Sequence, residues 1–142
     1  MALEEKRAWI MVVVSVCACA AYLTVVLLRA AHTPLAEVPY AAALLWSIGG
    51  AIAASIVLHI AADIATPKDS ARTDVRDREI HRFGEHVGRW SVAAGGIAAL
   101  VMALVELDHF WIANAVYLSF VLSAVLGSIA RIAAYRRGFQ SW

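Results

Sequence analysis

Four long apolar runs, broken by one charged stretch over residues 66–90, restrict this chain more than any other feature. The first uncharged run extends from Trp9 to Leu28 and is closed by Arg29 and by a turn carrying Pro34 and Pro39. The second, Tyr40 to Ala62, holds a single ionisable residue, His59. The third reaches from Trp90 to Val105, and the fourth from Trp111 to Ala130 with a helical pattern continuing to Tyr135. A helix needs about twenty mostly apolar residues to cross roughly 30 Å of hydrocarbon, and each run meets or nearly meets that length. The expected fold is all-α: a polytopic membrane protein of one domain, with four transmembrane helices in a compact bundle. The spans are placed over about 9–31, 40–65, 89–108 and 111–135, with a very short hinge around Asp108 to Phe110. Trp90 and Trp111 sit where interfacial aromatics belong.

Composition agrees. Hydrophobic residues make up 62% of the 142, charged residues 16%, and mean hydropathy is +0.72. A soluble domain has about half apolar and about a quarter charged residues. The net charge of +1 gives no electrostatic basis for a nucleic-acid partner. Cys17 and Cys19, two residues apart on one helix, point to different faces, which argues against a mutual disulfide and gives no metal-binding spacing. Ala18-Cys19-Ala20 loosely resembles a signal cleavage site, but the apolar run continues for eight more residues and reads as a span.

Orientation follows from Lys and Arg. Lys6 and Arg7 precede the first span; Lys68, Arg72, Arg76, Arg78, Arg82 and Arg89 lie between the second and third; Arg131, Arg136 and Arg137 close the chain. Of the twelve basic residues only Arg29 falls on the other side. The positive-inside rule then places both termini and residues 66–90 in the cytoplasm, with the chain crossing the membrane several times.

Two spans carry small residues every fourth position. Ser47, Ala51, Ser55, His59 and Asp63 form one stripe on span two; Ala115, Ser119, Ser123, Gly127 and Arg131 form another on span four. Small residues allow close helix approach where no hydrophobic force drives association. The stripes align locally, His59-Ile60-Ala61-Ala62 with Arg131-Ile132-Ala133-Ala134, which reads either as a two-plus-two parallel repeat or as Ala-rich coincidence. Asp63 and Arg131, at corresponding ends of the two stripes, are expected to pair.

In the charged stretch, Thr66-Pro67-Lys68-Asp69-Ser70 breaks the second helix. Val75, Ile80, Phe83 and Val87 then suggest an amphipathic cytoplasmic helix over about 70–89 that feeds into span three. Its charges alternate in sign, as on a solvated face or a partner surface. Gly84 and Gly88 make a small-xxx-small step where another helix can pack. The run Asp74-Val75-Arg76-Asp77-Arg78-Glu79-Ile80 with Gly84, then His109-Phe110-Trp111-Ile112-Ala113-Asn114-Ala115, then Ala134-Tyr135-Arg136-Arg137-Gly138 resembles a family of small bacterial four-helix membrane proteins described as a domain of unknown function. The likeness covers roughly residues 70–138. It implies the topology and brings no functional residues with it.

Two constellations bear on chemistry. On the cytoplasmic side, His59 and Asp63 lie one turn apart, as do Asp77, His81 and Glu85; imidazole and carboxylate at that spacing suit zinc or manganese. The structural alternative pairs Asp63 with Arg131 and hydrogen-bonds His59 to a Ser or a backbone carbonyl. On the opposite side, Glu106 and His109 give half of a di-iron pattern, with no second copy in the chain. Glu106 is therefore expected to pair with Arg29, with His32 nearby. There is no Gly-rich phosphate loop, no Cys pair at metal spacing and no nucleophile elbow.

The expected function is that of a non-enzymatic integral membrane protein acting through helix–helix contacts, as an accessory, regulatory or self-assembling subunit. Its partners would be the lipid bilayer and further copies of itself or a larger membrane complex, with no cofactor required. The alternative is a small divalent-cation carrier or sensor built on His59, Asp63, His81 and Glu85.

Overall fold

The computed structural model describes residues 3–34, 37–67 and 74–138, and contains four helices and no strand among them. They are α1 (Leu3–Ala30), α2 (Ala41–Ala65), α3 (Val75–Leu104) and α4 (His109–Arg137). All four are long and apolar enough to cross a membrane. Neighbours in space run in the order α2–α1–α4–α3, with α3 and α4 in the most extensive contact and α2 packed chiefly on α1. The ends of α2 and α4 meet the starts of α1 and α3, so one end of the bundle brings together charged residues from all four helices.

Residues 75–104 form one continuous helix, so the charged stretch from Val75 onward shares an axis with span three, while the expected helix start near residue 70 lies outside the described residues. The start is fixed by a capping box: Asp74 accepts a hydrogen bond from the Val75 amide at 2.7 Å, and Asp77 accepts one from the Asp74 amide at 3.1 Å. These bonds satisfy donors that the first turn of a helix leaves open. At its other end, α3 stops in a Schellman-type turn, with the Glu106 amide donating to the Ala103 carbonyl and the Leu107 amide to Met102. Glu106 occupies the left-handed position that this turn requires, at φ 57°.

Close approach of α3 and α4 depends on glycine. A Cβ on Gly84 would lie 2.7 Å from the Gly127 carbonyl oxygen, one on Gly127 would lie 2.8 Å from the Gly84 oxygen, and one on Gly88 would lie 2.9 Å from the Ser123 oxygen. Gly95 faces Ser119 in the same way. The small stripe of α4 thus meets the glycines of α3. On α2, Ser47, Ala51, Ser55 and His59 are half-buried on the side turned to the bundle, and Ser47 donates to the Ala18 carbonyl of α1 at 3.0 Å.

Away from the charged end, Tyr22, Val26, Val38, Phe110 and Tyr117 form the apolar core. Tyr22 and Tyr117 meet edge to face at 4.9 Å, as do Tyr40 and Phe110 at 5.3 Å. The polar tips are satisfied within this layer: Tyr22 donates to Asn114 Oδ1 at 2.5 Å, Asn114 donates to the Phe110 carbonyl at 2.7 Å, and Tyr117 and Ser47 share a bond of 2.9 Å.

Candidate functional site

At the charged end, polar side chains from all four helices converge. Three ties follow the packing order. Arg7 of α1 donates to both carboxylate oxygens of Asp63 on α2, at 2.8 and 2.9 Å, and to Glu4 at 2.8 Å. Arg136 of α4 donates to Glu5 of α1 at 3.2 Å and lies over the Trp9 ring at 5.6 Å. Tyr135 of α4 donates to Asp77 of α3 at 2.7 Å.

Two expected ion pairs are replaced. Asp63 is held by Arg7 rather than by Arg131, because α1 lies between α2 and α4 and reaches Asp63 first. Arg29 donates to the Pro39 carbonyl at 2.5 Å rather than to Glu106, since the short connection brings that carbonyl back over the end of α1. Glu106 meanwhile serves the turn after α3.

The proposed metal ligands are spread over several structural tasks. His59 Nδ1 bonds the Ser55 carbonyl at 2.6 Å, the ordinary one-turn bond within a helix. Asp77 serves the helix cap and Tyr135 together. His81 and Glu85 face each other at 3.1 Å. Among the described residues, no group of three or more His, Cys, Asp or Glu is arranged to hold a metal ion. Both cysteines are free.

Arg131 occupies the centre of this end. Its Nε is buried with no hydrogen-bond partner, and no carboxylate among the described residues lies within ion-pair distance. Shape fixes its position: a Cβ on Gly84 would stand 2.5 Å from Arg131 Cγ and 2.6 Å from Nε. Two cavities share it. One of about 340 Å³ lies between α3 and α4, against Gly88, Ser123 and Ser128; the other, of about 280 Å³, is lined by Glu4, Arg7, Met11, His59, His81 and Arg131. A further cavity of about 420 Å³ is lined by Asp77, His81 and Glu85 together with Glu4 and three arginines.

Several of these contacts leave a trace in the sequence. Asp74 and Asp77 have capping-box spacing immediately before an apolar repeat, which marks a helix start. Asn114, Tyr22 and Tyr117 carry polar tips in apolar spans and so require partners. Comparison with protein-family models, with curated proteins and with solved structures returns no match.

Proposed function

We propose that this chain is a multi-pass protein of the bacterial cytoplasmic membrane that acts without catalysis, through helix–helix contacts, as an accessory, regulatory or self-assembling subunit. The observation that carries this reading is the outer surface of α2 and α3. Not one residue of α2 is fully buried, and Trp46 and Ile64 are about 80% exposed. Such surface suits lipid or a partner helix and is far more apolar than a soluble monomer carries. Gly49, Gly50 and Gly96 have nothing within 4 Å of a Cβ position, so the fold itself makes no use of their small size. Outward glycines on apolar helices are suited to a second helix arriving from outside. The cytoplasmic placement of the charged end rests on the distribution of Lys and Arg.

Chemical crosslinking and native mass spectrometry of the full chain in mild detergent test the proposal. A self-associated or partner-bound species is expected, and Gly49→Leu or Gly96→Leu should abolish it while leaving the helical content intact. A strict monomer with no co-purifying partner overturns it.

The second reading, a divalent-cation carrier or sensor, draws support from His59 and His81 lining one cavity with Glu4. It requires Asp63 to leave Arg7 and Glu85 to leave His81. Stoichiometric zinc or manganese, lost in His59→Ala, is the expected result; no binding on titration removes this reading.

A further inference from the structure

We propose that Arg131 receives the phosphate of an anionic lipid whose hydrocarbon chain lies in the cleft between α2 and α4. This rests on the reading of the chain as a membrane protein and adds a ligand to it.

The first observation is the unpartnered guanidinium. Every carboxylate that lines its two cavities is already engaged: Glu4 with Arg7, and Glu85 with His81. Asp63, the nearest candidate on α2, is taken by Arg7 as well. The Arg131 Nε is buried without an acceptor, and a buried donor left unsatisfied is unfavourable. Arg131 cannot swing away without giving up the place over Gly84 that its stem fills.

The second observation is the shape of the space around it. Arg7, Arg131, His59 and His81 converge on the smaller cavity, and Ser123, Ser128 and Arg89 add donors to the larger one. Guanidinium groups match phosphate oxygens with two parallel hydrogen bonds, and hydroxyls supplement them. The larger cavity adjoins, at Ala124, an apolar groove of about 220 Å³ floored by Ser15 and Ala18 of α1 and walled by Ala51, Ile52, Phe120 and Val121. The bond between Ser47 and Tyr117 lies at the far end of that groove. A donor-rich head chamber that shares Ala124 with an open apolar groove fits an amphiphile with a phosphate head. A free phosphate would leave the slot unused.

The test uses the full chain, first as membranes and then purified in detergent. Membranes are washed with alkaline carbonate, and the purified protein is titrated with phosphatidylglycerol, phosphatidylcholine or inorganic phosphate under native mass spectrometry. Phosphatidylglycerol is expected to be retained over phosphatidylcholine, and Arg131→Gln to weaken that retention about tenfold. Ala124→Leu, which narrows the slot and leaves every charged residue in place, should weaken it too, and serves if Arg131→Gln does not fold. Equal retention of the two lipids, or undiminished phosphatidylglycerol binding in a folded Arg131→Gln protein, overturns the proposal. Inorganic phosphate that displaces the lipid, with Ala124→Leu silent, assigns the site to a soluble anion and also overturns it. Release of the chain by carbonate defeats the membrane reading itself, whereas retention without lipid preference defeats only the lipid site.

Discussion

Adding one methyl group to Gly127 should loosen the close contact between α3 and α4. The new Cβ would lie 2.8 Å from the Gly84 carbonyl oxygen and 3.6 Å from its carbon. Both obstructing atoms are backbone, so no side chain can rotate out of the way, and the two helices must separate by several tenths of an ångström. Gaps of about 0.5–1 Å forfeit a quarter to a half of the dispersion attraction along a contact, and overpacked sites typically lose about 1–3 kcal/mol. Replacing a helical glycine by alanine returns about 0.5–1 kcal/mol of backbone entropy, leaving a net loss of about 1–2 kcal/mol. Gly96→Ala supplies the control, because its Cβ meets nothing within 4 Å and only the entropic gain of about 0.5–1 kcal/mol should remain. Reversible unfolding of the detergent-solubilised protein, followed by circular dichroism, measures both. Gly84→Ala combined with Gly127→Ala should be less damaging than the sum of the two, since the first methyl group already opens the gap that the second needs. A Gly127→Ala protein as stable as Gly96→Ala would refute the reasoning.

Three further outcomes are expected in the same unfolding assay. Tyr135→Phe leaves Asp77 Oδ1 without its donor and should lower stability by about 1–2 kcal/mol; no change would mean the bond contributes nothing to docking α4 on α3. Glu106→Gly relieves a left-handed backbone and should raise stability by up to about 1 kcal/mol, whereas a loss would show that the carboxylate has a role beyond the turn. Asp63→Asn should weaken the bundle by less than about 1 kcal/mol, because the Arg7 and Asp63 side chains are 36% and 44% exposed.

The helices were legible because length and hydropathy are properties of each segment alone. Their partners were not. The stripe Ser119, Ser123, Gly127 and Arg131 identifies the close-packing face of α4, but a four-residue period does not say which helix lies against it, and the neighbour is α3. Asp63 and Arg131 look like a pair because both end such stripes; the insertion of α1 between them is a long-range fact carried by no local pattern. The change in polarity near residue 90 marks where one continuous helix leaves an apolar layer, not a boundary between two helices. The Asp74 and Asp77 cap is readable from its three-residue spacing just before the helix. The cavities around Arg131 depend on three or four helices at once and have no sequence signature.

The order of helices in space has a consequence for how the protein is made. Translation delivers α1 first and α4 last, yet the two are immediate neighbours, and the bond from Tyr22 to Asn114 closes a separation of 92 residues. The α3–α4 hairpin, joined by a turn of a few residues, closes a short loop, while the seam between α1 and α4 closes the longest in the bundle. Until α4 is made, the Tyr22 hydroxyl has no Asn114 to meet, and that face of α1 is free to engage other surfaces.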